Sequence, residues 1–292
     1  MTSLAASQGV RVAALQLNSN ADVARNLEVV EELTARAAAE RAMLVMLPEN
    51  FAFLGPEAQK FALAEPLMTA ASAAAANSVE HPIQARMAAL ARRHGVYLLL
   101  GGFPERASVT RGHGDQPPPF NTSSLLGPDG APRASYRKLH LFDIDLPDGT
   151  SLRESRATSA GSSIVVSDAL GLRVGLSICY DLRFPELYRR LVDQGADVLS
   201  VPAAFTAQTG PAHWHVLLRA RAIENQCWVV APAQWGKHCE GRASYGHALI
   251  VDPWGQVVAE APDGVGLILA DLDMESVKRV RASLPCLQHR KL

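Results

Sequence analysis

RVGLSICYDLRFPELYR (173–189) places an apolar run, 173–178, directly before a thiol, Cys179, and a helical segment over 185–194 after a short polar turn. A strand that ends in a loop and feeds a helix is the unit from which α/β proteins are built. The same rhythm continues outward in both directions. Downstream, strands are predicted at 198–201, 228–231, 247–251, 256–259 and 266–269, with helices at 212–225 and 274–283. Upstream, VAALQL (12–17) reads as the first strand. Residues 21–41 then set Val23, Leu27, Val30 and Leu33 on one helical stripe, with Asn20 as N-cap and Asp22 in the first turn, where the helix dipole favours an anion. MLVML (43–47) is continuously apolar, the pattern of a strand covered on both faces, and it stops at Pro48, which has no amide to donate. A surface Ala/Ser segment (69–77), a helix at 83–94, a buried strand at 96–100 ended by Gly101-Gly102, and a polar Gly/Pro-rich solvent loop at 108–119 follow. GPDG (127–130) joins 122–126 and 133–136 as a hairpin.

The composition narrows what such a chain can do. With 292 residues and 48% hydrophobic content, it is long enough to bury a large core as one domain. Its 28 Lys and Arg against 29 Asp and Glu leave a net charge of −1, without the broad positive field that nucleic acid or anionic lipid would require. No export signal opens the sequence, and no apolar run reaches the ~18 residues of a membrane span. Four cysteines, at 179, 227, 239 and 286, show neither a disulfide framework nor zinc-ribbon spacing, so the expected compartment is a reducing cytoplasm. Around His213, His215, His238 and Cys239 no carboxylate or further thiol stands at ligand spacing, and no metal site is expected. Cys227 and Cys286 sit in apolar surroundings as packing residues.

Three strand ends carry polar residues out of apolar context, and α/β sheets build their sites from such ends. Glu49 follows MLVML-Pro48 and is either a general base or a partner in an ion pair. Lys138 closes the run 134–138, as an edge-strand lysine would. Cys179 is a nucleophile at a strand-to-loop junction or a small buried hydrophobe.

Taken together, LPENF (47–51), YRKLHLFD (136–143) and ICYDLRFPELYR (178–189) closely resemble the nitrilase superfamily of carbon–nitrogen hydrolases, in that family's order and over nearly the whole chain, from about Arg11 to Lys291. The resemblance implies a four-layer α-β-β-α sandwich, one hydrolase domain over 1–292 with a tail from 276, and a catalytic trio of Glu49, Lys138 and Cys179. On that reading Glu49 takes the thiol proton, and the thiolate attacks an amide carbonyl. Lys138 and the Tyr180 backbone amide hold the oxyanion, ammonia leaves, and Glu49 then activates water against the thioester. No cofactor is called for. By the same likeness Glu154, in LRES (152–155), positions the lysine, an ion pair with Arg153 or Arg156 being the alternative, while Asp181 and Arg183 fix the loop after the nucleophile.

Segments 210–234, 241–258 and 284–291, with GGFPER (101–106), resemble the Nit branch of that superfamily, whose deaminated glutathione amidases return 2-oxoglutarate and cysteinylglycine. The related ω-amidases act on 2-oxoglutaramate. A substrate bearing carboxylates calls for cationic or amide donors, for which Arg183, Arg221, Lys237, Arg242 and His247 are the candidates. The resemblance also implies a homodimer or larger homo-oligomer. Two rival readings are a serine hydrolase, since GLSIC (175–179) brushes against the nucleophile-elbow pattern but has Cys last, and a binding module that keeps the fold without the chemistry. A dinucleotide enzyme lacks its glycine fingerprint.

Overall fold

Strand Val10–Leu17 buries both faces in alternation, as a pleated strand must. Val12 and Ala14 enter one apolar core, and Ala13, Leu15 and Leu17 enter another. Strands Leu44–Met46 and Tyr97–Glu105 divide in the same way, with Leu44, Met46 and Leu99 on the first side and Val45, Leu98 and Leu100 on the second. The continuous apolar runs are thus central strands. The structure is a computed structural model and describes residues 9–74, 79–107, 117–145 and 151–291. The first eight residues, the end of the Ala/Ser segment at 75–77 and most of the expected solvent loop, 108–116, lie outside the described residues.

Two large sheets organise the chain. The eight-stranded sheet runs Arg242–Tyr245, Ala233–Cys239, Val10–Leu17, Leu44–Met46, Tyr97–Glu105, Phe120–Leu126, Pro132–Arg137, with Gly266–Leu272 antiparallel to Val10–Leu17 from Val10↔Leu272 to Gln16↔Gly266. The six-stranded sheet runs Val257–Glu260, Leu249–Val251, Trp228–Ala231, Val198–Ser200, Leu172–Leu176, Val166–Ala169. Helices Val23–Ala39 and Pro82–His94 cover the outer face of the first sheet through Leu27, Val30, Leu33, Met87 and Leu90. Helices Pro185–Asp193 and Gly210–Asn225 cover the second through Tyr188, Leu191, Trp214 and Leu218, and the inner faces of the two sheets share one core. This is the α-β-β-α sandwich. No described helix is long and apolar enough to cross a membrane.

Several local expectations are corrected by backbone geometry. The first helix is capped by Asp22, not Asn20: Asp22 is extended and accepts from the Arg25 amide, while Asn20 accepts from the Asp22 amide at 2.7 Å. Residues 70–74 form a short helix inside the Ala/Ser segment. Strands Val166–Ala169, Ala233–Cys239 and Arg242–Tyr245, and the small pair Asp143–Asp145 with Ser151–Arg153, were not legible because they are short and mixed in polarity.

Gly101 and Gly102 do not end their strand. It continues to Glu105 through a register shift between Leu100 and Phe103, the usual setting for a bulge. A Cβ on Gly101 would land on the Leu47 carbonyl and 2.5 Å from the Pro48 carbonyl carbon, and one on Gly102 would stand 2.6 Å from Asn121 Oδ1 and 3.3 Å from Glu49 Cγ. The glycines let the loop after Met46 lie against the strand, where Asn50 donates its amide to the Gly102 carbonyl at 3.0 Å. Gly101→Ala is therefore expected to lower unfolding stability by about 1–3 kcal/mol through overpacking against backbone, read from urea denaturation. An unchanged midpoint would show that the loop yields freely.

Candidate active site

Glu49, Lys138 and Glu154 meet although they lie far apart in sequence. Lys138 Nζ donates to Glu49 Oε1 at 2.9 Å and to the Glu154 oxygens at 3.1 and 2.9 Å. Glu49 Oε1 also accepts from Asn121 Nδ2 at 2.8 Å, and its Oε2 accepts from the Ala204 amide at 3.0 Å. Glu154 Oε2 further accepts from the Phe142 amide at 2.7 Å. Glu154 thus pairs with the lysine, and Arg153 turns away to Asp145 at 2.7 Å. Glu49 and Lys138 are 4% and 2% exposed, so neither charge is neutralised by water and each depends on the other.

Cys179 arrives where Ile178 hands the chain from the strand Leu172–Leu176 into the 3₁₀ turn Cys179–Arg183. Its φ of +47° is left-handed, a conformation that costs a non-glycine residue on the order of 1–3 kcal/mol and persists only where surroundings enforce it. The enforcing groups are named. The Cys179 amide donates to the Pro202 carbonyl at 2.9 Å, and Asp181, fully buried, accepts from the Ile178 amide at 2.9 Å. Asp181 also accepts from Tyr136 Oη at 2.7 Å and from the His140 amide and Nδ1 at 3.1 and 2.7 Å. One carboxylate therefore ties the segment carrying Lys138 to the turn carrying Cys179.

The electrostatics follow from burial and pairing. Burial alone would push the Glu49 carboxyl up. The Lys138 ammonium, the Ala204 amide and a hydrogen bond from the Cys179 thiol outweigh it and hold the group at about 2. Burial draws the Lys138 ammonium down, but Glu154 and Glu49 more than reverse this and keep it well above 10.5. For Cys179, burial and then the Glu49 charge push the thiol well above 9.0. At rest a protonated thiol thus donates to an ionised carboxylate, with an ammonium alongside, which is the arrangement for general-base activation of a nucleophile.

These groups line a cavity of about 470 Å³, with Tyr180, Arg183 and Arg242 among its other walls. Arg183 meets His213 Nδ1 at 3.2 Å and Thr209 Oγ1 at 3.4 Å, and its guanidinium carbon lies 5.0 Å from the centre of the Phe205 ring. Arg242 pairs with Glu57 at the same cavity. The other three cations predicted for substrate stand elsewhere. Arg221 turns its guanidinium onto the Leu182 carbonyl at 2.8 and 3.1 Å and onto Glu224, bracing the turn after Cys179. Lys237 is exposed and is not part of the cavity lining. His247, left-handed at φ +56°, bonds to Glu260 and is not part of the cavity lining.

Asn121 was missed by the sequence reading, although an asparagine inside a strand run (FNTSSLL) is an available signal, since such positions disfavour it. Phe142 and Thr206 also line the cavity without a local sequence mark, and Cys239, expected near a pocket segment, lines it too. Among the described residues, His, Cys, Asp and Glu side chains converge at metal-ligand spacing only at His215, His247 and Glu260, none of them in the cavity.

The depressed Glu49 carboxyl has a signed consequence. A group held lower in the folded chain than in the unfolded one stabilises the fold above its ordinary value, 4.5, and that contribution is lost as pH falls toward about 2. The difference is worth on the order of 3 kcal/mol. Urea midpoints for Glu49→Gln should accordingly fall less steeply between these pH values than those of the unaltered chain, and equal slopes would contradict an ionised, buried Glu49.

Comparison with known proteins places this geometry. Residues 11–282 match the family model described as carbon-nitrogen hydrolase. The chain is 47% identical over 281 residues to a deaminated glutathione amidase of Synechocystis, covering 95% of this chain and 97% of that protein. Among solved structures it is similar to Saccharomyces cerevisiae Nit3, a member of branch 10 of the nitrilase superfamily (31% identity, TM-score 0.84, all of both chains). It is also similar to the Caenorhabditis elegans NitFhit protein (39% identity, TM-score 0.85, 98% of this chain), of which it spans only 66%. Fold, cavity and sequence agree that this chain belongs to the carbon–nitrogen hydrolase family.

Proposed function

We propose that this protein is a thiol amidase whose substrate is deaminated glutathione, with Glu49, Lys138 and Cys179 as its catalytic residues. The observation that carries the reading is a carboxylate bonded to an ammonium with a thiol in the lining of the same cavity. Glu49 accepts the Cys179 proton as sulfur bonds to the amide carbon, and the oxygen that becomes negative is held by Lys138 Nζ and the Tyr180 amide. Collapse breaks the carbon–nitrogen bond, with the proton on Glu49 passing to the leaving nitrogen. For deaminated glutathione that nitrogen is the amine of cysteinylglycine, not ammonia. Water, deprotonated by Glu49, then attacks the thioester and frees 2-oxoglutarate and the thiol. Glu154 holds Lys138 in place, and Asn121 orients Glu49 through the same oxygen that meets the lysine.

Recognition of a substrate with carboxylates falls to Arg183 and Arg242. Arg183 is the better placed for direct contact, because it is paired with no carboxylate among the described contacts, whereas Arg242 is already paired with Glu57. The cavity volume falls in the range of sites for small organic ligands and leaves room for a dipeptide leaving group. A 2-oxoglutaramate amidase is the second reading, supported by the same triad and distinguished by leaving-group size.

The deciding assay compares deaminated glutathione, 2-oxoglutaramate and simple amides, with cysteinylglycine release as the readout for the first. We expect the highest kcat/KM on deaminated glutathione. Cys179→Ala should lose more than the ~10²–10³ that removal of one oxyanion donor costs. Arg183→Gln should raise KM for the carboxylate substrates more than for simple amides. Preference for 2-oxoglutaramate would move the assignment to the second reading, and wild-type turnover by Cys179→Ala would end both.

The chain is further proposed to act in a reducing cytoplasm, consistent with four free thiols, and as a homodimer. Helix Gly210–Asn225 leaves Val216 and Ile223 67% and 48% exposed, next to Trp254 at 64%, an apolar face of the kind that pairs across a two-fold axis. Light scattering is expected to give twice the chain mass, and a monomer at micromolar concentration would remove this assignment.

A further inference from the structure

We propose that His215, His247 and Glu260 form a binding site for a divalent transition-metal ion of the zinc type, separate from the amidase cavity. The three residues come from three elements: the helix Gly210–Asn225, the turn before strand Leu249–Val251, and the end of strand Val257–Glu260. His215 Nε2 and His247 Nδ1 stand 2.9 and 3.0 Å from the same oxygen, Glu260 Oε1, and the three ligand atoms lie within 4.8 Å of one another. Ligands about 2.0–2.2 Å from a tetrahedral Zn²⁺ are separated by little more than 3 Å, so the triangle needs only a small opening to admit the ion. An open face toward solvent remains for a fourth, water ligand, since all three side chains are partly exposed.

The backbone already holds this arrangement without an ion. Trp214, one residue before His215, donates Nε1 to the His247 carbonyl at 2.8 Å, and Leu249 pairs with Glu260 across the sheet. His247 adopts φ +56°, a left-handed conformation that swings its ring toward Glu260. Behind it, Asp263 Oδ1 lies 3.9 Å from His247 Nε2 and also accepts from Trp235 Nε1 at 3.2 Å. A carboxylate on the far nitrogen is the usual support of a metal-bound imidazole, fixing its tautomer and raising its basicity.

The protons balance. An ionised carboxylate only accepts, so in the ion-free state each ring donates its N–H to Glu260. On binding, the ion takes the place of the protons directed at Glu260, and each imidazole then carries its proton on the far nitrogen, Nδ1 of His215 and Nε2 of His247. Two imidazoles and one carboxylate select zinc-type ions over Mg²⁺ or Ca²⁺, which take oxygen ligands. Because none of the three residues lines the cavity, the ion would clamp the helix to the final strands and take no part in amide hydrolysis. The proposal stands whether or not the substrate assignment does.

The test uses the full chain carrying Cys179→Ala, so that the catalytic thiol cannot itself capture metal. Zn²⁺ titration by calorimetry is expected to show one ion per chain, weakened at least tenfold by His215→Ala, by His247→Ala and by Glu260→Gln, and unchanged by His213→Ala on the same helix. Excess Zn²⁺ should raise the melting temperature by several degrees, because only the folded chain assembles the three ligands. Co²⁺ should give tetrahedral d–d bands without a thiolate charge-transfer band. Glu260→Gln keeps acceptors for both rings, so it decides the matter should a histidine variant fail to fold. Absence of saturable Zn²⁺ binding, a thiolate band, or binding indifferent to Glu260→Gln would overturn the proposal.

Discussion

The site depends on one buried ammonium. Lys138 is almost wholly removed from water and lies between two carboxylates, Glu49 and Glu154, each within 2.9 Å. Removing the ammonium would leave two carboxylates facing each other uncompensated in a medium that solvates charge poorly, which makes both acids depend on the lysine. Glu49 is further met by the Asn121 side-chain amide and the Ala204 backbone amide, which both donate to it. A basic oxygen is thereby presented to the sulfur while the lysine stays protonated. The same ion pair that makes Glu49 a weaker base in equilibrium terms keeps it ionised at neutral pH, so that an acceptor is in place.

Holding these charges in register is the work of the two sheets. Glu49 follows a central strand of the eight-stranded sheet, Lys138 follows its last hairpin, and Cys179 follows a strand of the six-stranded sheet. The shared core between the sheets fixes their separation, and Asp181 bolts the lysine segment to the nucleophile turn through four hydrogen bonds. The strained φ of Cys179 is sustained by that bolt and by the Pro202 carbonyl. Arg221 adds a third brace by capping the Leu182 carbonyl, which explains why a buried arginine near the site never reaches the cavity. Positioning of Glu49, Lys138 and Cys179 and stability of the sandwich are in this sense the same set of contacts.

The chemistry of the site was legible in the sequence where it is local. LPENF, YRKLHLFD and ICYDLRFPELYR carry their polar residues at the ends of apolar runs, and strand-and-helix periodicity placed those ends without reference to the rest of the chain. Short central strands such as Leu44–Met46 were readable because they are apolar on both faces. Edge strands such as Arg242–Tyr245 were not, since half their residues meet solvent and no period survives. The glycine pair at 101–102 reads as a strand end in one dimension and becomes a close approach of two backbones in three.

By itself, then, the sequence carried the fold class and the family, because the motifs that mark the resemblance are local runs of residues. Only the tertiary structure decided which cations reach the cavity. Arg183 and Arg242 do, while Arg221 is held on the Leu182 carbonyl and His247 on Glu260. It alone brought Asn121 to Glu49, and it supplied to His215 a carboxylate that no local spacing could offer, from Glu260 on another strand. The reason is geometric: the direction of a side chain and the neighbours it meets depend on how distant elements pack, and no window of sequence contains that packing.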